Sequence, residues 1–109
     1  MAKHEFGIME KEPIIGKRYD KYEPEKYHCI SVDDEQIEAI APKLCCMDCF
    51  SHTLDIQIKG LEYCGITLIP PQAAAQFICL IGDNQSLLPL KALLQQAITK
   101  NKYVIHYGL

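Results

Sequence analysis

The sequence predicts an α+β domain of ferredoxin-like order, β-α-β-β-α(α)-β. In that fold a four-stranded antiparallel sheet carries its helices on one face; here an extended N-terminal arm precedes it. Three observations predict it. Apolar residues recur at helical spacing in three separate stretches, β-branched and aromatic runs alternate with those stretches, and residues 1–26 follow neither period. A chain of 109 residues fits one domain, and 26 residues are too few to bury a core of their own. The division is therefore an arm over 1–26 and a single α+β domain over 27–109.

The elements follow in order. Residues 27–32 form a short strand by their aromatic and β-branched content. Asp33 then suits a helix N-cap, with Gln36 three residues on in the capping-box position. Ile37, Ile40, Ala41 and Leu44 make one helical face, which Pro42 is expected to kink or break by removing a backbone donor. Residues 50–69 read as a β-hairpin turning at Ile58, Lys59 and Gly60, with Gly60 left-handed. That register sets Phe50 against Leu68, His52 against Ile66 and Leu54 against Cys64. A one-residue slip would scatter those apolar residues over both faces.

Pro70 and Pro71 end the hairpin and open a helix carrying Ala74, Phe77, Ile78 and Ile81, which Gly82 stops. Ser86 is placed to cap a second helix with Leu90, Leu93, Leu94 and Ala97 inward, closed by Asn101. Residues 103–107 are the last strand, and its edge is a natural site for pairing with another chain.

Charge and hydropathy exclude several classes. Eleven Lys and Arg against fourteen Asp and Glu give −3, which removes the usual electrostatic case for nucleic acid or an acidic membrane. No apolar run approaches the length of a membrane span, and the first residues lack a signal-peptide core. A cytoplasmic protein is expected. Six cysteines without a secretory context then read as reduced thiols, and Cys29, Cys64 and Cys79, inside apolar runs, read as core residues.

Two groups of side chains carry possible chemistry. Cys45, Cys46, Cys49 and His52 form the densest cluster; Cys46 and Cys49 have C-x-x-C spacing, which suits a thiolate metal site or a reversible disulfide. Zinc is the metal such ligands favour, yet it wants four ligands, and the second half-motif of a zinc site is missing. Redox pairs usually open a helix, whereas this one closes one, so boundary cysteines are the plainer reading. The other group lies on the sheet face without helices: Thr53, Asp55, Tyr63 and Thr67, joined by His106 if the last strand turns that way. Polar strands with tyrosines suit an interface or a small-ligand site, and the arm is long enough to cover them. Arg18, the only arginine, suits a carboxylate or phosphate, and His28 and His106 are the imidazoles that suit acid–base work. Neither completes a catalytic set, and no phosphate loop or hydrolase elbow occurs.

The segments His4–Ile8, Arg18–Pro24, His52–Asp55, Gly60–Pro71 and Val104–Gly108 together resemble a family of small bacterial proteins of about this length. The resemblance spans nearly the whole chain and implies no catalytic residue, cofactor or substrate, since that family has no assigned activity.

These readings favour a small cytoplasmic ligand-binding or protein-interaction module, self-associating as a homo-oligomer, without a cofactor and without nucleic-acid or membrane partners. The alternative is a metal-binding or thiol-redox protein using Cys45, Cys46, Cys49 and His52, with zinc as its cofactor.

Overall fold

The computed structural model describes residues 2–109. Its described strands are β1 (Lys3–Ile8), β2 (Ile30–Asp33), β3 (Asp48–Phe50), β4 (Gln57–Lys59), β5 (Ile66–Ile69) and β6 (Val104–Tyr107). They make one six-stranded sheet in the order β2-β1-β6-β5-β3-β4, every neighbouring pair antiparallel. The helices are α1 (Asp34–Leu44), α2 (Pro71–Ile81) and α3 (Leu88–Thr99), with a short 3₁₀ turn at Gln85–Leu87 before the last.

The α+β class holds, but the four-stranded ferredoxin-like sheet does not. Two features enlarge it. Lys3–Ile8, expected within the arm, is an inner strand held between β2 and β6. The predicted hairpin is also built differently. Its turn is the 51–56 segment, where the Ser51 N–H donates to the Ile56 carbonyl at 2.9 Å, so that β4 folds back on β3. Phe50 does face Leu68, as the register argument requires, but β5 lies on the other side of β3. Gly60 is left-handed (φ 77°), though not as a hairpin turn: its N–H donates to the Met47 carbonyl at 2.8 Å. A Cβ there would lie 3.0 Å from the Leu44 carbonyl oxygen, so the α1 end and the β4 end meet backbone to backbone.

The helices form where their apolar spacing places them, with adjustments at the ends. Helix α1 runs through Pro42 to Leu44, so of the expected kink or break the break does not occur, and the Asp33 side chain makes no capping bond. Helix α2 begins on Pro71 and ends at Gly82. Asn84 rather than Ser86 supplies the cap after it, its Oδ1 accepting the Ser86 N–H at 2.9 Å. Ile37, Ile40, Phe77, Leu90 and Leu94 bury against Phe6, Val32, Ile69 and Val104 on one face of the sheet. Each such side chain contributes on the order of 1.5–3 kcal/mol by leaving water. No described helix is long and apolar enough to cross a membrane.

The other sheet face is covered by the chain between β1 and β2. Met9 and Tyr27 are buried there with Leu68, Ile105 and Tyr107, and Tyr19 packs beside them. Both faces of β6 are therefore covered, and all four of its residues are buried. The last strand is not an edge; the sheet's edges are β2 and β4.

Candidate functional site

The alternating geometry of β1, β5 and β6 points His4, Thr67 and His106 into the helix-facing side of the sheet. Thr67 thus leaves the face on which it was predicted, and His106 settles beside Phe6, ring centroids 4.9 Å apart. All three residues are fully buried. His4 Nδ1 lies 2.8 Å from His106 Nε2, and His106 Nδ1 lies 3.0 Å from Thr67 Oγ1. Outward, His4 Nε2 lies 3.0 Å from Asp34 Oδ1, which also accepts the Tyr63 hydroxyl. Inward, Thr67 Oγ1 accepts the Glu62 N–H at 2.8 Å.

For neutral rings, the chemistry of the ends fixes every proton between them. The Asp34 carboxylate only accepts, so His4 carries its proton on Nε2 and accepts at Nδ1. His106 must then donate from Nε2 and accept at Nδ1, and the Thr67 hydroxyl donates to it. Burial, with His4 adding to it, pushes the His106 pKa down to about 3, which keeps that ring neutral. The Tyr63 hydroxyl, aided by His4, holds the Asp34 carboxyl below its usual range, and the same bond raises Tyr63 to about 12. Every ring nitrogen in the relay is engaged, and its inner end closes on a backbone amide. It joins four elements, β1, α1, β5 and β6.

The remaining candidates on the predicted face separate. Thr53 is buried in the 51–56 turn, where its Oγ1 accepts the Asp55 N–H at 3.4 Å, and Asp55 is exposed. Cys64 and Cys79, expected in the core, are exposed, and Cys29 is half-buried, because an apolar neighbourhood in the sequence does not fix which way a loop or helix side chain points. The cysteine cluster also divides. Cys45 and Cys46 are exposed at the end of α1, with their thiols toward the Ala41 and Lys43 carbonyls, and Gln76 donates to Cys46 Sγ at 3.3 Å. Cys49 is buried on β3, and burial pushes its thiol up to about 12. His52 Nδ1 is 3.2 Å from Ser51 Oγ, and its Nε2 is buried without a hydrogen-bond partner. Among the described residues no three His, Cys, Asp or Glu side chains are grouped to hold a metal ion.

Sequence reasoning missed the segment that builds two adjoining recesses. Tyr19 is pinned at both ends, its N–H donating to the His52 carbonyl at 2.6 Å and its hydroxyl accepting the Ile14 N–H at 2.8 Å. Tyr22 stands edge-on to Tyr107 at 5.1 Å and reaches Glu5 with its hydroxyl. The Glu23 N–H donates to the Tyr107 hydroxyl at 3.2 Å. This anchoring leaves a cleft of about 340 Å³ lined by Lys17, Arg18, Tyr19, Asp20, Lys21, Glu23, Lys26 and Tyr27. A second cleft of about 300 Å³ shares Lys17, Tyr19, Lys26 and Tyr27 and adds Met9, Ile14 and residues 10–12. Lys17 Nζ sits 5.2 Å from the Tyr19 ring centre and Lys26 Nζ 5.4 Å from that of Tyr27, within cation–π range. Arg18 pairs with Asp20 at 3.4 Å. The clustering of Lys, Arg and Tyr over residues 17–27 was the available signal, and Arg18 was the one member it brought forward.

No family model, no curated protein and no solved structure matches the chain.

Proposed function

We propose that the chain is a small ligand-binding module whose site is the pair of joined clefts built by residues 9–27 over the second sheet face. The observation that carries this reading is the sharing of Lys17, Tyr19, Lys26 and Tyr27 between two recesses of about 340 and 300 Å³. Those volumes fall in the low range of small-molecule sites, and tyrosines with cations are the groups that orient a ligand there. Binding rather than catalysis is favoured because the two buried imidazoles, His4 and His106, have every ring nitrogen engaged between the half-buried Asp34 and Thr67. Six unpaired thiols accord with a reducing, cytoplasmic setting. Melting curves against a mixed-charge fragment library test the reading. Fragments should raise the melting temperature of the native chain and lose that effect in Lys26→Glu; hits indifferent to this substitution would contradict it.

Self-association has its own support. β2 is an edge strand, and a recess of about 210 Å³ beside it is lined by Ser31, Val32, Asp33, Gln36, Ser86, Pro89 and Leu90. At the other edge, β4 is three residues long and carries the Lys59–Asp48 ion pair, features that discourage pairing. A dimer paired through β2 should dissociate on Ser31→Lys, as read by analytical ultracentrifugation. A monomeric native chain, or a dimer unmoved by that change, would reject the edge.

A further inference from the structure

We infer that the twin clefts take an amphiphilic organic anion, with its phosphate or carboxylate in the cationic cleft and its apolar body in the neighbouring recess. This rests on the ligand-binding reading above and adds the chemical class. Four cations, Lys17, Arg18, Lys21 and Lys26, face two carboxylates in the larger cleft, an excess of positive charge on a chain whose formal charge is −3. Only Arg18 among them pairs with a carboxylate among the described residues. Lys17 and Lys26 are held over tyrosine faces instead, which positions their ammonium groups while leaving their charge unneutralised.

The neighbouring recess has an apolar part that the first lacks. Besides Glu10, Lys11 and Glu12 it is lined by Met9 and Tyr27, both buried, and by Ile14, 62% exposed beside Ile15 at 78%. Two adjacent isoleucines left in water are costly unless something covers them. An apolar chain or ring running from the cationic cleft across Tyr19 and Tyr27 would cover Ile14 and extend toward Ile15. The charge selects the head group, and the shared tyrosine wall sets the path between the two halves.

Calorimetric titration of the full chain with octyl phosphate, octanol, octylamine and inorganic phosphate tests this. Octyl phosphate should bind at least tenfold more tightly than any of the other three. Lys21→Glu and Lys26→Glu should each weaken it about fivefold or more, as the loss of an exposed charge contact does, and Ile14→Ser should weaken it without changing the preference for phosphate. Octanol binding as well as octyl phosphate, in a manner lost on Lys26→Glu, would overturn the anion class and leave the ligand site standing. No binding by any of the four would overturn the class; the fragment library then decides whether the site itself stands. Vesicles of anionic phospholipid form a separate arm. Sedimentation with vesicles in the absence of binding to free octyl phosphate would place the anion on a membrane surface and overturn the small-molecule assignment.

Discussion

His4 Nδ1 and His106 Nε2 face each other at 2.8 Å across neighbouring strands, with both rings fully buried and stacked at 5.1 Å between centroids. The two residues stand 102 positions apart, so this one bond ties the first strand of the chain to its last. Asp34 and Thr67 fix the outer nitrogens and thereby the direction of every hydrogen bond between them.

Cutting the relay at its inner end should be costly. Thr67→Val strands the acceptor nitrogen of His106 in a buried site and removes the acceptor of the Glu62 N–H, and a loss of about 1–3 kcal/mol is expected from urea unfolding. Nitrogen NMR should show both imidazoles protonated at Nε2 in the native chain. A variant as stable as the native protein would mean that the relay carries no weight in folding.

Acid should unfold the chain early. Between pH 6.5 and about 3, the unfolded chain binds a proton on His106 that the folded chain refuses, so stability falls as the pH drops through that window. The slope contributed is at most about 1.4 kcal/mol per pH unit. Asp34, lowered by Tyr63 and His4, acts in the same sense at lower pH, its contribution being lost as pH falls through its folded pKa. Urea midpoints measured from pH 7.5 to 4 check this, and a flat profile between pH 6.5 and 5 would refute it.

The tail clamps Tyr63 from outside. Gly108 donates its N–H to the Gly65 carbonyl at 2.7 Å, and Leu109 donates to the Tyr63 carbonyl at 3.0 Å. A Cβ on Gly108 would lie 2.1 Å from the Tyr63 carbonyl oxygen, a backbone atom with little room to retreat. Gly108→Ala should cost about 1–3 kcal/mol and shift the Tyr63 ring resonances. Unchanged stability and spectra would show that the tail moves freely aside.

Thiol reactivity should split the cysteines. Burial pushes Cys29 and Cys49 up to about 12, while Cys45, Cys46, Cys64 and Cys79 are exposed. Iodoacetamide at pH 8 should label those four in the native state and reach Cys29 and Cys49 only on unfolding, as counted by peptide mass spectrometry. Rapid native labelling of Cys49 would show that β3 opens readily.

Local chemistry in the sequence carried the helices and the last strand. Pro71, Gly82 and the Ile37, Phe77 and Leu90 faces are short-range signals, and the structure keeps them. β1 escaped because its inward set is His4, Phe6 and Ile8, and a histidine in the buried row breaks the apolar alternation by which a strand is read. That histidine is tolerated inside because His106 and Asp34 satisfy it from other elements, which spacing along the chain cannot reveal. The 51–56 turn was hidden for a similar reason. Ser51 and Thr53 look like outward strand residues, yet both are buried in a turn closed by backbone bonds. Of the candidate site residues, Tyr63, Thr67 and His106 meet in one network, while the cysteines and the loop residues do not join it. The clefts depend on how residues 9–27 lie over β6, a tertiary relation with no periodic signature.

Amide NMR of the labelled full chain, titrated with octyl phosphate at pH 7, tests the central claim most directly. The account predicts that the largest shift changes fall on residues 9–12, on Ile14 and on residues 17–27, and saturate with a single binding curve. Changes centred on the β2 recess at Ser31 and Ser86, or none within residues 9–27, would contradict it.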